Sequence, residues 1–249
     1  MPTASPTSVP LKSSPIVTTG LTNKKLGFYF LPQDNHQPSK VDATLEKLYN
    51  QYNAIYIHHT TQKVIYLTFD EGYENGYTPS ILDTLKANHV KAAFFITGEF
   101  IKTQPNLVKR MVAEGHTIGN HSVTHPSMPE ITDDSKLQAE ILGVERTFHD
   151  MFGKKMTYFR APRGEYSERT LAITKSLGYR SVFWSFAYAD WDTKAQKGAD
   201  NAYNVVMNRL HPGEVLLLHA VSKDNTEALD RIIKAVQARG YVFKTLDEM

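Results

Sequence analysis

From residue 63 onward, short runs rich in β-branched and aromatic residues alternate with longer stretches in which apolar positions return at helical spacing. Strands are predicted at 64–69, 91–96, 116–119, 157–159, 180–185, 214–218 and 241–244, with helices in the gaps. In the last helix Leu229, Ile232, Ile233 and Val236 stand at i, i+3, i+4 and i+7, one apolar stripe for packing on a sheet. Thr78-Pro79 reads as an N-cap followed by proline in the first turn, and Gly115, Gly153, Gly178 and Gly240 stand where helix C-termini are expected. Strands in strict β-then-α order imply parallel pairing, because each crossover is a helix. The expected class is therefore α/β: a distorted, closed or nearly closed (β/α) barrel of about seven parallel strands, with an open doubly wound sheet as second choice. No G-x-G-x-x-G or P-loop follows the first strand, which takes support from nucleotide-binding open sheets.

Upstream the pattern differs. Residues 1–20 hold four prolines among Ser and Thr with no apolar period, the composition of a flexible leader. An aromatic-rich piece at 26–30 and a helix predicted at 41–51, with Val41, Leu45 and Leu48 on one side, make 21–62 an N-terminal extension packed on a main domain of 63–249.

Composition narrows the function. In 249 residues, 28 Lys+Arg against 26 Asp+Glu leave a net charge of +2, too little for a mainly electrostatic nucleic-acid binder. With no Cys, disulfides, thiol nucleophiles and Cys-zinc sites are excluded. No apolar run approaches the ~18 residues of a membrane span, and the N-terminus lacks a basic-then-apolar signal pattern, so the protein is cytosolic or its targeting segment is absent from this chain.

In parallel α/β folds the chemistry gathers past the C-terminal ends of the strands. Asp70 and Glu71 end the first strand; two acids there also serve as helix caps or solvated carboxylates. His121 and His125 follow the third strand, and as a helical turn their i, i+4 spacing would aim both imidazoles at one metal, with Asp70 or Glu71 as the carboxylate. Arg160 and Arg163 flank a proline after the fourth strand, fit for a carboxylate or for a structural ion pair. Asp190 and Trp191 follow the fifth, and His219 closes the sixth, where a satisfied core histidine is the plainer reading. Packing alone gives no reason for Asp70, Glu71, His121, His125, Arg160, Asp190 and His219 all to fall past strand ends.

In order, T-F-D-E-G (68–72), H-S-V-T-H (121–125), R-A-P-R-G (160–164), D-W (190–191) and L-L-H (217–219) resemble the five motifs of the polysaccharide deacetylases, carbohydrate esterase family four. G-Y-E-N (72–75), the R-x-P-R-G form and H-A-V-S-K-D-N (219–225) look most like the muramic-acid deacetylases of spore-forming bacteria, which act on peptidoglycan in the muramic delta-lactam pathway of the spore cortex. The resemblance implies Asp70 as general base, Arg160 as its partner, His219 as general acid and Asp190 as the partner of that histidine. It implies His121, His125 and Glu71 as ligands of a divalent metal, most suitably zinc, although the family usually has Asp where Glu71 stands, and Ala187 replaces the first acid of D-x-x-D-W. Trp191 and Leu217 would form the pocket for the acetyl methyl, the Arg163 N–H would share the oxyanion, and Arg163, Asn75 and Tyr73 would meet the glycan. A monomer acting on the peptidoglycan strand outside the cytoplasmic membrane is expected, with no nucleic-acid partner.

Three other readings remain at this point. Acids at barrel strand ends suit glycosidases, though that leaves the histidines unexplained. The same machinery could serve N-acetylglucosamine in peptidoglycan or a chitin-like glycan. Glu71 and Ala187 would also suit a glycan-binding pseudo-enzyme.

Overall fold

The computed structural model describes residues 18–249; of the expected leader, residues 1–17 lie outside the described residues, and the Thr18 hydroxyl donates to Asp134 at 2.8 Å. In chain order the elements are β1 (Leu26–Gly27), α1 (Ala43–Gln51), β2 (Val64–Glu71), α2 (Thr78–Ala87), β3 (Ala93–Ile96), α3 (Gly98–Thr103), α4 (Pro105–Ala113), β4 (Thr117–Asn120) and α5 (Asp134–Phe152). They continue with β5 (Tyr158–Phe159), β6 (Glu165–Tyr166), α6 (Glu168–Ser176), β7 (Arg180–Ser181), α7 (Ala199–Arg209), β8 (Glu214–His219), α8 (Lys223–Ala238) and β9 (Val242–Phe243). Every strand predicted beyond residue 63 is present, shortened in most cases. All pair in parallel in the order β7-β5-β4-β3-β2-β8, with β9 against the start of β2.

Strand alternation sorts the core into two layers. Ile65, Leu67 and Phe69 of β2 face the helices with Phe94, Ile96, Leu216 and Leu218. Val64 and Tyr66, with Ala93, Phe95, Tyr158 and Val215, fill the barrel interior. Helices supply the outer cover through single apolar faces: α8 buries Leu229, Ile232, Ile233 and Val236, the stripe expected from sequence.

The wall closes irregularly, which is what distorts the barrel. The predicted strand 180–185 pairs with β5 only at Arg180–Ser181 and then leaves it. Residues 55–58 wedge between β7 and β8: the Ile55 N–H donates to Ser181 O at 2.8 Å, Phe183 N–H returns to Ile55 O at 2.7 Å, and His58 N–H reaches Gly213 O at 2.9 Å. Nearer the strand ends, Ser185 N–H meets Val215 O at 2.9 Å and Leu217 N–H meets Phe186 O at 3.0 Å, so the 185–186 segment seals onto β8 directly.

This seam buries Glu214, whose Oε2 accepts the His211 N–H at 3.0 Å while Oε1 has no partner. Burial raises its pKa well above the ordinary glutamate value of 4.5, outweighing the His211 hydrogen bond. An acid held protonated in the fold costs stability as pH rises above its unfolded pKa, by about 1.4 kcal/mol per pH unit until the folded pKa is reached. Glu214→Gln is therefore expected to flatten the loss of stability between pH 5 and pH 8, read as urea midpoints at both values; an unchanged difference would mean that Glu214 is ionised in the fold.

Candidate active site

The interior layer continues upward from the apolar floor into the reactive groups. Along β2, Thr68 and Asp70 follow Val64 and Tyr66 on the inward face; along β8, Leu217 and His219 follow Val215. β2 and β8 are in register at Asp70 and His219, so these two stand side by side at the mouth.

Beneath them lies Arg160, fully buried just past β5. Its Nη1 donates to Asp70 Oδ1 at 2.7 Å, its Nη2 to Thr68 Oγ1 at 3.0 Å and Phe183 O at 3.2 Å, and its Nε to Val182 O at 3.0 Å. The guanidinium lies 4.0 Å from the centre of the Phe95 ring. That ring requires glycine on the neighbouring strand, since a Cβ at Gly119 would overlap it. Burial pushes Asp70 toward protonation, but the charge and hydrogen bond of Arg160, with the charge of His219, outweigh it and hold its pKa below 3.8. Asp70 is thus an ionised carboxylate with one oxygen on Arg160 and the other toward His121.

His219 is fixed from the other side. Its Nδ1 is 2.7 Å from Asp190 Oδ1, and its backbone N–H donates to Asp190 Oδ2, also at 2.7 Å. Burial lowers its pKa, yet the hydrogen bond and charge of Asp190, with Asp70 behind them, lift it above 6.5. With Nδ1–H on Asp190, Nε2–H is the proton available to a substrate. The Trp191 ring lies 5.6 Å from the imidazole and is 55% exposed, so it forms one rim of the mouth. Buried Leu217 lies one inward position below His219.

His121 and His125 meet, but not as a helical turn. Left-handed backbone at Ser122 (φ 66°) and His125 (φ 58°) folds the segment back and sets the rings 4.8 Å apart, edge to face. His121 Nδ1 lies 2.8 Å from the Arg160 carbonyl, leaving Nε2 free and 3.4 Å from Asp70 Oδ2. Burial lowers both pKa values, that of His125 to about 4, with the charge of His121 adding to the effect. Two neutral, adjacent imidazoles with one ring oriented by a carbonyl fit a divalent ion.

Glu71 does not join them. Its strand runs on to Glu71 rather than ending at Phe69, so the pleat turns Asp70 inward and Glu71 outward. The Thr78 hydroxyl donates toward the two Glu71 oxygens at 3.4 and 3.5 Å; Tyr77, not Thr78, is the N-cap of α2. Burial, with Glu74 and Asp70 adding to it, raises the Glu71 pKa well above 4.5 against the Thr78 hydrogen bond. Among the described residues no three His, Asp or Glu side chains form a metal-ready cluster, so the expected ligand set is present only as its imidazole pair.

The remaining expected residues line or brace the mouth. Arg163 is exposed in a left-handed turn (φ 59°) and has no ion-pair partner among the described residues. Phe28 N–H donates to Gly164 O at 2.8 Å and β1 pairs with β6, so the N-terminal segment buttresses this turn. Tyr73 is 53% exposed, whereas Asn75 donates to Val221 O at 3.0 Å and ties the loop after β2 to the loop after β8. Sequence reasoning missed Thr68, though it shares the inward face two residues before Asp70, and missed Tyr188 and Asn225, which hold Asp190.

A barrel with an arginine-held carboxylate, a carboxylate-held imidazole and a metal-ready histidine pair at its mouth belongs to the hydrolases. Residues 58–182 match the family described as Polysaccharide deacetylase. Over 228 residues the chain is 46% identical to the peptidoglycan-N-acetylmuramic acid deacetylase PdaA of Bacillus subtilis, covering 91% of this chain and 86% of that one. The solved structure of Bacillus subtilis PdaA, a family 4 carbohydrate esterase, superposes with a TM-score of 0.89 at 45% identity, covering 92% of this chain and 97% of that one. A peptidoglycan-N-acetylglucosamine deacetylase of Bacillus cereus is 32% identical over 236 residues, 90% of this chain and 83% of the relative. The chain belongs to the polysaccharide deacetylase family, carbohydrate esterase family four, and is a deacetylase; enzymes of this family are generally metal-dependent.

Proposed function

We propose that the protein hydrolyses the N-acetyl group of N-acetylmuramic acid in peptidoglycan, on the outer side of the cytoplasmic membrane, and that the muramic delta-lactam route of the spore cortex is its setting. The observation that carries hydrolysis is the registered pair Asp70 and His219, an ionised base beside a protonated acid, and the 46% identity to a muramic-acid deacetylase supports the choice of sugar. Among the described residues no helix is long and apolar enough to cross a membrane.

Asp70 takes a proton from the attacking water while Arg160 keeps it ionised and aimed. His219 delivers its Nε2 proton to the departing nitrogen, and Asp190 steadies the imidazole through that transfer. A divalent ion, for which we take zinc, would be held by His121 and His125 and would supply Lewis-acid polarisation of the acetyl carbonyl. Leu217 and Trp191 offer apolar surface to the acetyl methyl, Tyr73 offers a ring face to the sugar, and the Arg163 N–H serves the oxyanion. The protein works in this reading as a monomer on a single glycan strand.

The test is mass spectrometry of purified glycan fragments before and after incubation with the metal-loaded protein. Loss of one acetyl from muramic residues supports the reading. Loss from glucosamine residues alone, new reducing ends, or binding with no acetate released would each overturn it.

Selection of muramic acid needs a cation for its lactyl carboxylate, and exposed Arg163 supplies a planar fork for it. A hydrogen bond to a charged group contributes about 1.5–3 kcal/mol, and exposure places this one at the lower end, roughly 10-fold in rate. Arg163→Ala is expected to lower acetate release from muramic-acid glycan by that factor and to spare chito-oligosaccharide hydrolysis. An equal loss on both would assign Arg163 to support of the turn.

A further inference from the structure

The Asp190 carboxylate is buried and accepts three hydrogen bonds, two from His219 and one from the Asn225 side-chain amide. Asn225 is itself buried, and its Oδ1 accepts the Tyr188 hydroxyl. That assignment of amide oxygen and nitrogen is forced, because a carboxylate needs a donor and only Nδ2 provides one. The backbone of Asn225 is fixed as well: its N–H donates to Oγ of Ser222, the N-cap of α8, at 3.2 Å.

The same helical turn anchors the rest of the loop that carries Asp190. Asp224 Oδ2 accepts Lys197 N–H at 2.7 Å and Gly198 N–H at 2.6 Å. Gln196 joins the Ser222 hydroxyl, at 2.8 Å, to the Asp190 carbonyl, at 3.2 Å. The loop itself, residues 187–198, has neither helix nor strand, so these contacts set where Asp190 stands.

We infer that Asn225, oriented by Tyr188, is a positioning residue: it locks the Asp190 carboxylate in the rotamer that holds the His219 imidazole for proton delivery. The inference rests on His219 being the general acid. The side chain of Asn225 hydrogen-bonds Asp190 and Tyr188 and not the imidazole, so its effect passes through Asp190, as with the outer partners of metal-bound histidines.

The test uses the full chain with Asn225→Leu, which keeps the branching and heavy-atom count and removes the donor, and Tyr188→Phe, which leaves Asn225 in place but frees it. Partners of this kind are typically worth about 10- to 100-fold. Asn225→Leu is expected to lower kcat by that factor with KM unchanged, and Tyr188→Phe to lower it less. The spectroscopic signature is the downfield Nδ1–H proton resonance of His219, identified by its disappearance in His219→Gln. It should shift upfield or broaden in both variants while the melting temperature of Tyr188→Phe stays near the parent's. Should Asn225→Leu fail to fold, Tyr188→Phe carries the test alone. Unchanged kcat with an unchanged resonance in the folded variants overturns the inference. A parent that releases no acetate from any glycan overturns the functional reading instead, and the resonance still decides the role of Asn225.

Discussion

Asp70→Asn is expected to remove most acetate release, by about 10² to 10⁴ in kcat, because an amide cannot accept the proton of the attacking water. The same substitution also bears on the fold. Arg160 is fully buried and Asp70 is its only ion-pair partner among the described residues, so the variant leaves a guanidinium charge uncompensated inside the barrel. Breaking a buried pair from one side costs about 3–5 kcal/mol. Here the lower end is expected, since Arg160 keeps the carbonyls of Val182 and Phe183, the Thr68 hydroxyl and the Phe95 face. Acetate release and urea denaturation measured on one preparation separate the two effects. Near-parental turnover would sink the assignment of Asp70 as base; full turnover loss without loss of stability would show that Arg160 finds compensation elsewhere.

His219→Gln is expected to cost a similar factor in kcat, about 10² to 10⁴, and to change the pH profile as well. A general acid works only while protonated. The folded pKa of His219 lies above 6.5 through Asp190 and Asp70, with Arg160 opposing them, so parental activity should fall as pH climbs through that raised value. In the variant this alkaline limb should vanish along with most of the rate. An alkaline limb that persists at the same pH in His219→Gln would assign it to another group.

The fold was legible where local pattern carries it and illegible where pairing is distant. Alternation and helix punctuation located every strand of the barrel, and the order of elements implied their parallel pairing. Nothing in the run 55–58 marks it as part of the wall, because its partners lie more than a hundred residues away. The first strand runs two residues past its predicted end, through Asp70 and Glu71, residue types depleted from strands. The family resemblance places Glu71 with the histidines, whereas the pleat sends it to the opposite face, against Thr78. The histidine pair was correctly brought together for the wrong local reason: a left-handed turn does what a helical turn was expected to do. Asp70, Arg160, Asp190 and His219 converge as their motifs suggested, whereas Asn225 was hidden in a helix start whose role is visible only from Asp190.

The seating of β2 between β3 and β8 bears on how the chain comes together in time. One edge of β2 finds its partner about twenty-five residues later, whereas the other waits for Glu214–His219, some 150 residues downstream. During synthesis the apolar run 64–69 therefore emerges with one side unpaired, a template for neighbouring chains until β8 arrives near the end of the chain. Contacts of such separation fold slowly. Ile55 and Ile57 cannot take their places in the wall before β7 and β8 exist, so barrel closure, and with it the pairing of Asp70 beside His219, is among the last events of folding. A nascent chain halted before β8 would carry Asp70 and the histidine pair but not His219, and would expose an unpaired strand edge before the site could be complete.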